Sequence, residues 1–212
     1  MVLIFAAVIT LYPFVYSLSM SISDPEMVIQ QKVRLFPIGF NVRSYSMVLN
    51  TPYLWRSYYN TLWYTVIGTL LNLVLTIAAA YPLSRSNFIL KKIFTLFITI
   101  TMFVSGGIIP LFILVSKMGI YNTRWAIVLP AAVNAFNIFL MRVYFQTSIP
   151  KELIETATID GCNDIRILLK IILPLSKPIV SVIALFVAVG FWNNYFSALL
   201  FLPNASLQPI TV

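Results

Sequence analysis

Pro150-Lys151-Glu152-Leu153-Ile154-Glu155-Thr156-Ala157-Thr158-Ile159-Asp160-Gly161-Cys162, continued by Asn163 through Leu173 to Pro174, is a charged stretch set into a chain that avoids charge elsewhere. Four of the six acidic residues fall in it: Glu152, Glu155, Asp160 and Asp164. Lys151, Arg166, Lys170 and Lys177 are interleaved with them. Pro150 suits a first helical turn, where its missing N–H is not needed, and Glu152 sits favourably at the positive end of that helix. Leu153, Ile154 and Ala157 share one face by three-to-four spacing, with Glu155 beside it. Gly161 ends the helix with a sharp reversal. Asn163 or Asp164 caps a second helix through Ile167, Leu168, Ile171 and Ile172, and Pro174 is expected to stop it. The product is a compact knob with an apolar ridge and an acidic rim.

The surroundings set the solvent. The chain of 212 residues is 60% hydrophobic and 9% charged, against roughly 25% charged in soluble domains. That much apolar surface calls for lipid, and a span needs roughly 17–25 mostly apolar residues. Five spans are expected near 2–20, 60–82, 93–115, 124–144 and 177–201, with the charged loop at 147–175, all in a single domain over 1–212. These are helices, since barrel segments are about ten residues long and alternate in polarity. Ala78-Ala79-Ala80 permits close helix approach, and Pro82 is expected to break the second helix. Ser105-Gly106-Gly107 and Pro110 must kink or unwind the third, either as a packing kink or as a wall of a transport path. Asp24-Pro25-Glu26 is a turn signal, and a short helix is expected at 42–57.

Basic residues near the span ends orient the chain. The 83–92 and 145–176 loops, with Arg142 and Lys177 at their edges, hold eight, and the other side holds six. Short loops count most, so 83–92 and 145–176 are assigned to the cytoplasm. Acidic residues beside the ridge argue against a helix lying on the negative inner leaflet, and a docking surface for another protein fits better. The net charge of +8 reads as topology and contact with membrane lipid, and no basic and aromatic stripe points to nucleic acid. The single Cys162 makes no intrachain disulfide. With no His, His-based acid–base chemistry and the commonest metal ligand are excluded. No phosphate-binding loop is present among the seven glycines, so no cofactor is expected and ATP chemistry would belong to a partner.

Glu155-Thr156-Ala157-x-x-Asp160-Gly161, nine residues, then Ile171-x-Leu173-Pro174, resembles the "EAA" loop of permease subunits of bacterial ABC importers. Thr156 stands for the first Ala of that pattern and Cys162 for a frequent Ala, both small. Ala80 to Arg85, Gly119 to Ala126 with Leu129-Pro130, and Trp192-Asn193-Asn194-Tyr195 are similar to the carbohydrate-uptake branch, the relatives of the inner maltose permease subunits. Ser105 to Pro110 is similar to its polysaccharide or lipoprotein-associated subgroup. The resemblance implies an all-α, multi-pass permease domain of the bacterial cytoplasmic membrane with six spans. A sixth helix after Val212 and a basic flank before Met1 are therefore expected.

It also implies a heterodimer with a second permease, a cytoplasmic ABC ATPase dimer and an extracytoplasmic sugar-binding protein. The chain itself would be no enzyme. The residues it assigns to ATPase coupling are Leu153, Glu155, Ala157, Asp160, Gly161 and Pro174. For a sugar path the candidates are Asn72, Asn134, Asn137, Trp192, Asn193, Asn194 and Tyr195, because amides both donate and accept and aromatic faces suit sugar C–H surfaces. Helix-to-helix hydrogen bonding competes for Asn134 and Asn137, and interfacial anchoring for 192–195. An ion-coupled transporter needs buried Asp, Glu or His, which the five spans lack. A membrane enzyme lacks a candidate base or metal set.

Overall fold

The computed structural model describes residues 1–212, the side chain of Val2 excepted, and its regular elements are helical throughout. Two compact units are present, Met1–Arg56 and Ser57–Val212. In the first, α1 (Val2–Ser21) carries Pro13 within an uninterrupted apolar helix. The Asp24-Pro25-Glu26 signal starts a helix: Asp24 accepts from Glu26 N–H and caps α2 (Pro25–Ile29), with Pro25 in its first turn. Ser19 Oγ donates to Leu35 O at 2.6 Å, and Asn41 N donates to Ile22 O at 2.9 Å, which folds the 22–41 segment on itself. The helix expected at 42–57 is shorter, α3 (Arg43–Leu49), because the next helix starts at Pro52.

That next helix, α4 (Pro52–Ser84), has 33 residues, about 50 Å at 1.5 Å per residue. It begins eight residues before the expected Asn60 start and passes Pro82. The proline lies in the last turn, where one missing N–H costs a single bond rather than the helix, and Ser84 Oγ closes the turn on Tyr81 O at 2.6 Å.

The remaining spans are broken helices, as expected for 93–115 at Ser105 to Pro110, and contrary to the unbroken spans expected at 124–144 and 177–201. The 93–115 segment is α5 (Lys91–Phe103) and α6 (Ile108–Lys117), meeting at 116°. Gly107 takes φ +79° at the break, and Pro110 sits in the first turn of α6 where its lost N–H is harmless. The 124–144 segment is α7 (Trp125–Val128) and α8 (Ala135–Thr147), parted at Pro130, with Asn134 extended and capping α8. Next come α9 (Lys151–Ile159), α10 (Asp164–Ile167), a π-helical turn Leu168–Ile172 and α11 (Leu173–Leu175).

The chain then bends by 80° at buried Ser176 into α12 (Lys177–Trp192). The second knob helix ends at Leu175, one residue past Pro174, as expected before the last span. Pro174 has no N–H for the carbonyl four residues back, and the turn before it widens to π. Asn193 ends α12 because its Nδ2 reaches back to Val189 O at 2.9 Å, competing with the backbone. After it come α13 (Phe196–Phe201) and a 3-10 turn at Ala205–Leu207. Among the described residues, α1 and α4 alone are long and apolar enough to cross a membrane unbroken, and four crossings result if each bent pair counts as one.

Two buried clusters organise the second unit. One joins Ala80, Tyr81, Ile138, Met141, Phe145 and Ile183 to Ala157, Ile167 and Ile172 of the knob. The other joins Tyr64, Val115, Ala126 to Val128, Phe191, Ala198 and Phe201. Residues 204–210 are stitched to α4: Asn60 Nδ2 donates to Ser206 O and Gln208 O, Tyr64 Oη to Leu207 O, and Ile210 N to Thr61 Oγ1. Arg124 donates to Asn60 Oδ1 at 3.0 Å and stacks over Tyr59 and Trp63, so its charge is held without a carboxylate.

Candidate functional site

The knob is built as its sequence dictates. α9 ends in a Schellman arrangement: Cys162 N donates to Ala157 O at 2.9 Å and Gly161 N to Thr158 O at 3.1 Å. This closure requires Gly161 at φ +75°, and a Cβ added there would meet nothing within 4 Å. The demand is for the backbone conformation rather than for space. Asn163, rather than Asp164, caps α10, accepting from Arg166 N–H at 2.9 Å. Asp164 instead accepts from Tyr81 Oη at 3.0 Å, which ties α10 to the end of α4.

Ala157 is buried among the chain's own side chains, so its packing role is internal and it offers no outward contact. Leu153, expected on the face of Ile154 and Ala157, is instead 45% exposed. Ile159 at 86%, Ile165 and Leu169 are likewise exposed apolar residues of the knob. Asp160 and Glu155 are exposed as well. Pro174 is exposed on α11, the helix before α12. The knob is thus rooted by Ala157, Ile167 and Ile172 in the buried cluster and leaves Leu153, Ile159, Ile165 and Leu169 exposed. Next to α9, a cleft of about 540 Å³ is lined by Ser84 to Asn87, Lys91, Gln146, Lys151, Ile154, Glu155 and Thr158. Glu155 is the single carboxylate of its lining, which also includes Arg85, Lys91 and Lys151.

A second cavity, about 410 Å³, opens between α4, the 130–134 break, α8 and α12. Asn72, Asn134, Asn137 and Asn194 line it together with Phe186, Val187, Gly190 and Phe191. Trp192, Asn193 and Tyr195 are not brought to it and lie exposed. The four amides are not equivalent. Asn72, 1% exposed, donates to Ala131 O at 3.0 Å and accepts from Thr76 Oγ1 at 3.2 Å, holding the broken segment on α4. Asn134 Oδ1 accepts the Asn137 N–H at 3.1 Å as the cap of α8. Asn137 is 6% exposed, and its own side-chain amide has no partner among the described residues although it lies on the cavity wall.

A structural and a ligand-facing role can therefore be separated. Asn72→Leu is expected to leave Ala131 O without its donor and cost about 1–3 kcal/mol. It should show as a lower melting temperature of the purified protein. Asn137→Leu should not lower it.

Sequence reasoning missed Gly68, Gly190 and the Phe186–Phe191 wall. A lone glycine inside an apolar helix is a signal for close approach, and it could have drawn notice to Gly68.

The family described as "Binding-protein-dependent transport system inner membrane component" matches residues 68–211, which contain the cavity, the cleft and the knob. The chain belongs to this family. Bacillus subtilis (strain 168) has two similar proteins. The polygalacturonan/rhamnogalacturonan transport system permease protein YtcP is 39% identical over 99% of this chain and 73% of its own length. Protein LplC is 37% identical over 95% of this chain and 68% of its own.

A chain in the crystal structure of a bacterial ABC transporter involved in the import of the acidic polysaccharide alginate superposes with a TM-score of 0.96. It is 38% identical, over all of this chain and 75% of that one. The broken helices are accordingly the architecture of an ABC importer permease. This permease is an integral membrane, non-catalytic component of an import system, which sets aside an ion-coupled transporter and a membrane enzyme.

Proposed function

We propose that this permease forms, with a second permease, the path through the bacterial cytoplasmic membrane for a sugar or oligosaccharide delivered by an extracytoplasmic binding protein. The observation that carries the sugar reading is the cavity wall: uncharged amides beside phenylalanine faces, with the Asn137 amide unpaired. Amide groups match hydroxyls as donors and acceptors, and ring faces match the C–H surface of a pyranose. The names of the relatives and of the alginate importer support the same class of solute. Asn72 and Asn134 hold the cavity's shape, and Asn137 and Asn194 are the contact candidates.

The knob is the coupling element in this proposal. Its ridge of Leu153, Ile159, Ile165 and Leu169 seats in one subunit of a cytoplasmic ATPase dimer, with Asp160 on the rim and Glu155 at the mouth of the basic cleft. ATP-driven closure of that dimer moves the knob. Because Ala157, Ile167 and Ile172 root it in the same cluster as α8 and α12, the motion reaches the two helices that wall the cavity.

Asn137→Leu tests the path. Each hydrogen bond to the solute is worth about 1 kcal/mol, so uptake in proteoliposomes should fall about fivefold per bond while the complex still assembles. Loss of assembly instead would make Asn137 a helix-packing residue.

A further inference from the structure

Gly68 lies on α4 opposite Phe191 of α12, and the edge of the Phe191 ring fills the space beside the α4 backbone that a side chain at residue 68 would take. A Cβ built on Gly68 would stand 2.7 Å from Phe191 Cε1, 2.5 Å from Cε2, and closer still to Cζ. Real Cβ atoms do not make such contacts, so the ring occupies the notch that the glycine leaves. Phe191 is 5% exposed, is packed in the cluster of Tyr64, Ala198 and Phe201, and at the same time lines the 410 Å³ cavity. One side of the ring is therefore close-packed protein and another is open space. A ring expelled from the notch has room in the cavity and none in the packed cluster.

Phe191 is followed by the 193–195 break and preceded by Gly190, whose Cβ position meets nothing within 4 Å. The Asn137 amide belongs to the same cavity.

We propose that the Gly68–Phe191 pair sets the bore of this permease's half of the translocation cavity, and so determines the cross-section of solute that passes. This rests on the reading of the cavity as a sugar path, and it adds the residues that gauge it. Neither residue touches the solute through a polar group. Gly68 acts through Phe191, and is a positioning residue. The pair predicts an epistasis that a merely structural role does not. Gly68→Ala pushes the ring out and narrows the cavity, and shortening residue 191 in the same chain relieves it.

The test uses the assembled importer in nanodiscs, with Asn137→Cys introduced in a Cys162→Ser background. Two thiol reagents are compared, the small 2-aminoethyl methanethiosulfonate and a bulky biotin-bearing methanethiosulfonate. Phe191→Ala should raise the bulky-to-small labelling ratio, and Gly68→Ala should lower it through selective loss of bulky labelling. Gly68→Ala combined with Phe191→Leu should recover the parent ratio. An unchanged ratio in both single variants, or no recovery in the double variant, overturns the proposal. Should Gly68→Ala fail to assemble, the Phe191→Ala ratio alone decides it.

The path reading is tested separately, by whether the small reagent at position 137 blocks uptake of a short oligogalacturonate or a raffinose-series oligosaccharide. Size gating without that block would leave the bore intact and remove the sugar path. A block without size gating would do the reverse.

Discussion

Valine in place of Gly161 is expected to abolish solute uptake while the permease still inserts and the α4 and α12 helices still form. The Schellman closure of α9 needs residue 161 at φ +75°, where an L-residue costs about 1–2 kcal/mol and a β-branched one more. If the corner opens to relieve that strain, it forfeits the bonds from Gly161 N to Thr158 O and from Cys162 N to Ala157 O, each worth about 1 kcal/mol. An opened corner turns α10 away from Tyr81 and unseats Ile167 and Ile172, and a corner that holds its shape does so under strain that weakens the knob. Because a Cβ at this position meets nothing within 4 Å, crowding cannot be the cause. Gly161→Asn, which tolerates the left-handed region, should retain much of the uptake that Gly161→Val loses. ATP hydrolysis by the assembled importer, measured beside uptake, should become uncoupled or fall with it. Equal uptake in the valine, asparagine and parent proteins would show that the corner is not part of the transmission.

Reversing the charge at Glu155 is the second large effect. This residue is the single carboxylate of a cleft that also holds Arg85, Lys91 and Lys151, and no ion pair involving it is formed among the described residues. Its charge is thus available to a partner. Lysine there gathers four cations on one face and sets the wrong sign against the docking protein. Removing one member of a desolvated interfacial pair costs on the order of 2–5 kcal/mol. Co-purification of the ATPase with Glu155→Lys should therefore drop sharply, and Glu155→Gln should lie between it and the parent. The difference should shrink at high salt for whatever part of the interaction stays exposed. Undiminished co-purification of the lysine variant would exclude Glu155 from the interface.

Much of this was legible along the chain because the relevant signals are local. Gly161, Asn163 and the apolar spacing of 153–172 specify a helix, a left-handed corner and a second helix through capping chemistry alone, and the structure forms that sequence of elements. Ser105 to Gly107 announced an interruption in the same way. What was not legible depends on partners distant in sequence. Hydropathy cannot tell a straight span from two short helices, so 124–144 and 177–201 read as rods until the caps at Asn134 and Asn193 were seen.

Pro82 and Pro174 read as terminators because a proline's local cost is fixed, and their helices end at Ser84 and Leu175, just past them. The exposure of Leu153 marks a limit: it shares a face with Ala157 by spacing, but which part of that face is covered depends on α4 and α8. At the cavity, Asn72, Asn134, Asn137 and Asn194 were found by residue type. Separating Asn72 and Asn134, which hold the backbone, from Asn137 and Asn194 needed Ala131, Thr76 and the α8 cap. Gly68 carried almost no local message, since its meaning lies in the ring of Phe191, more than a hundred residues away.

The central claim, that the knob's ridge docks on an ATPase rather than on lipid, rests on side chains that are apolar and outward. Ile159, at 86% exposure, is the best placed to decide between them. A photo-crosslinking amino acid at position 159, in the full-length permease within its native membrane, should give a covalent adduct with the ATP-hydrolysing subunit, and the yield should change when ATP is bound. Adducts with phospholipid alone would contradict the account.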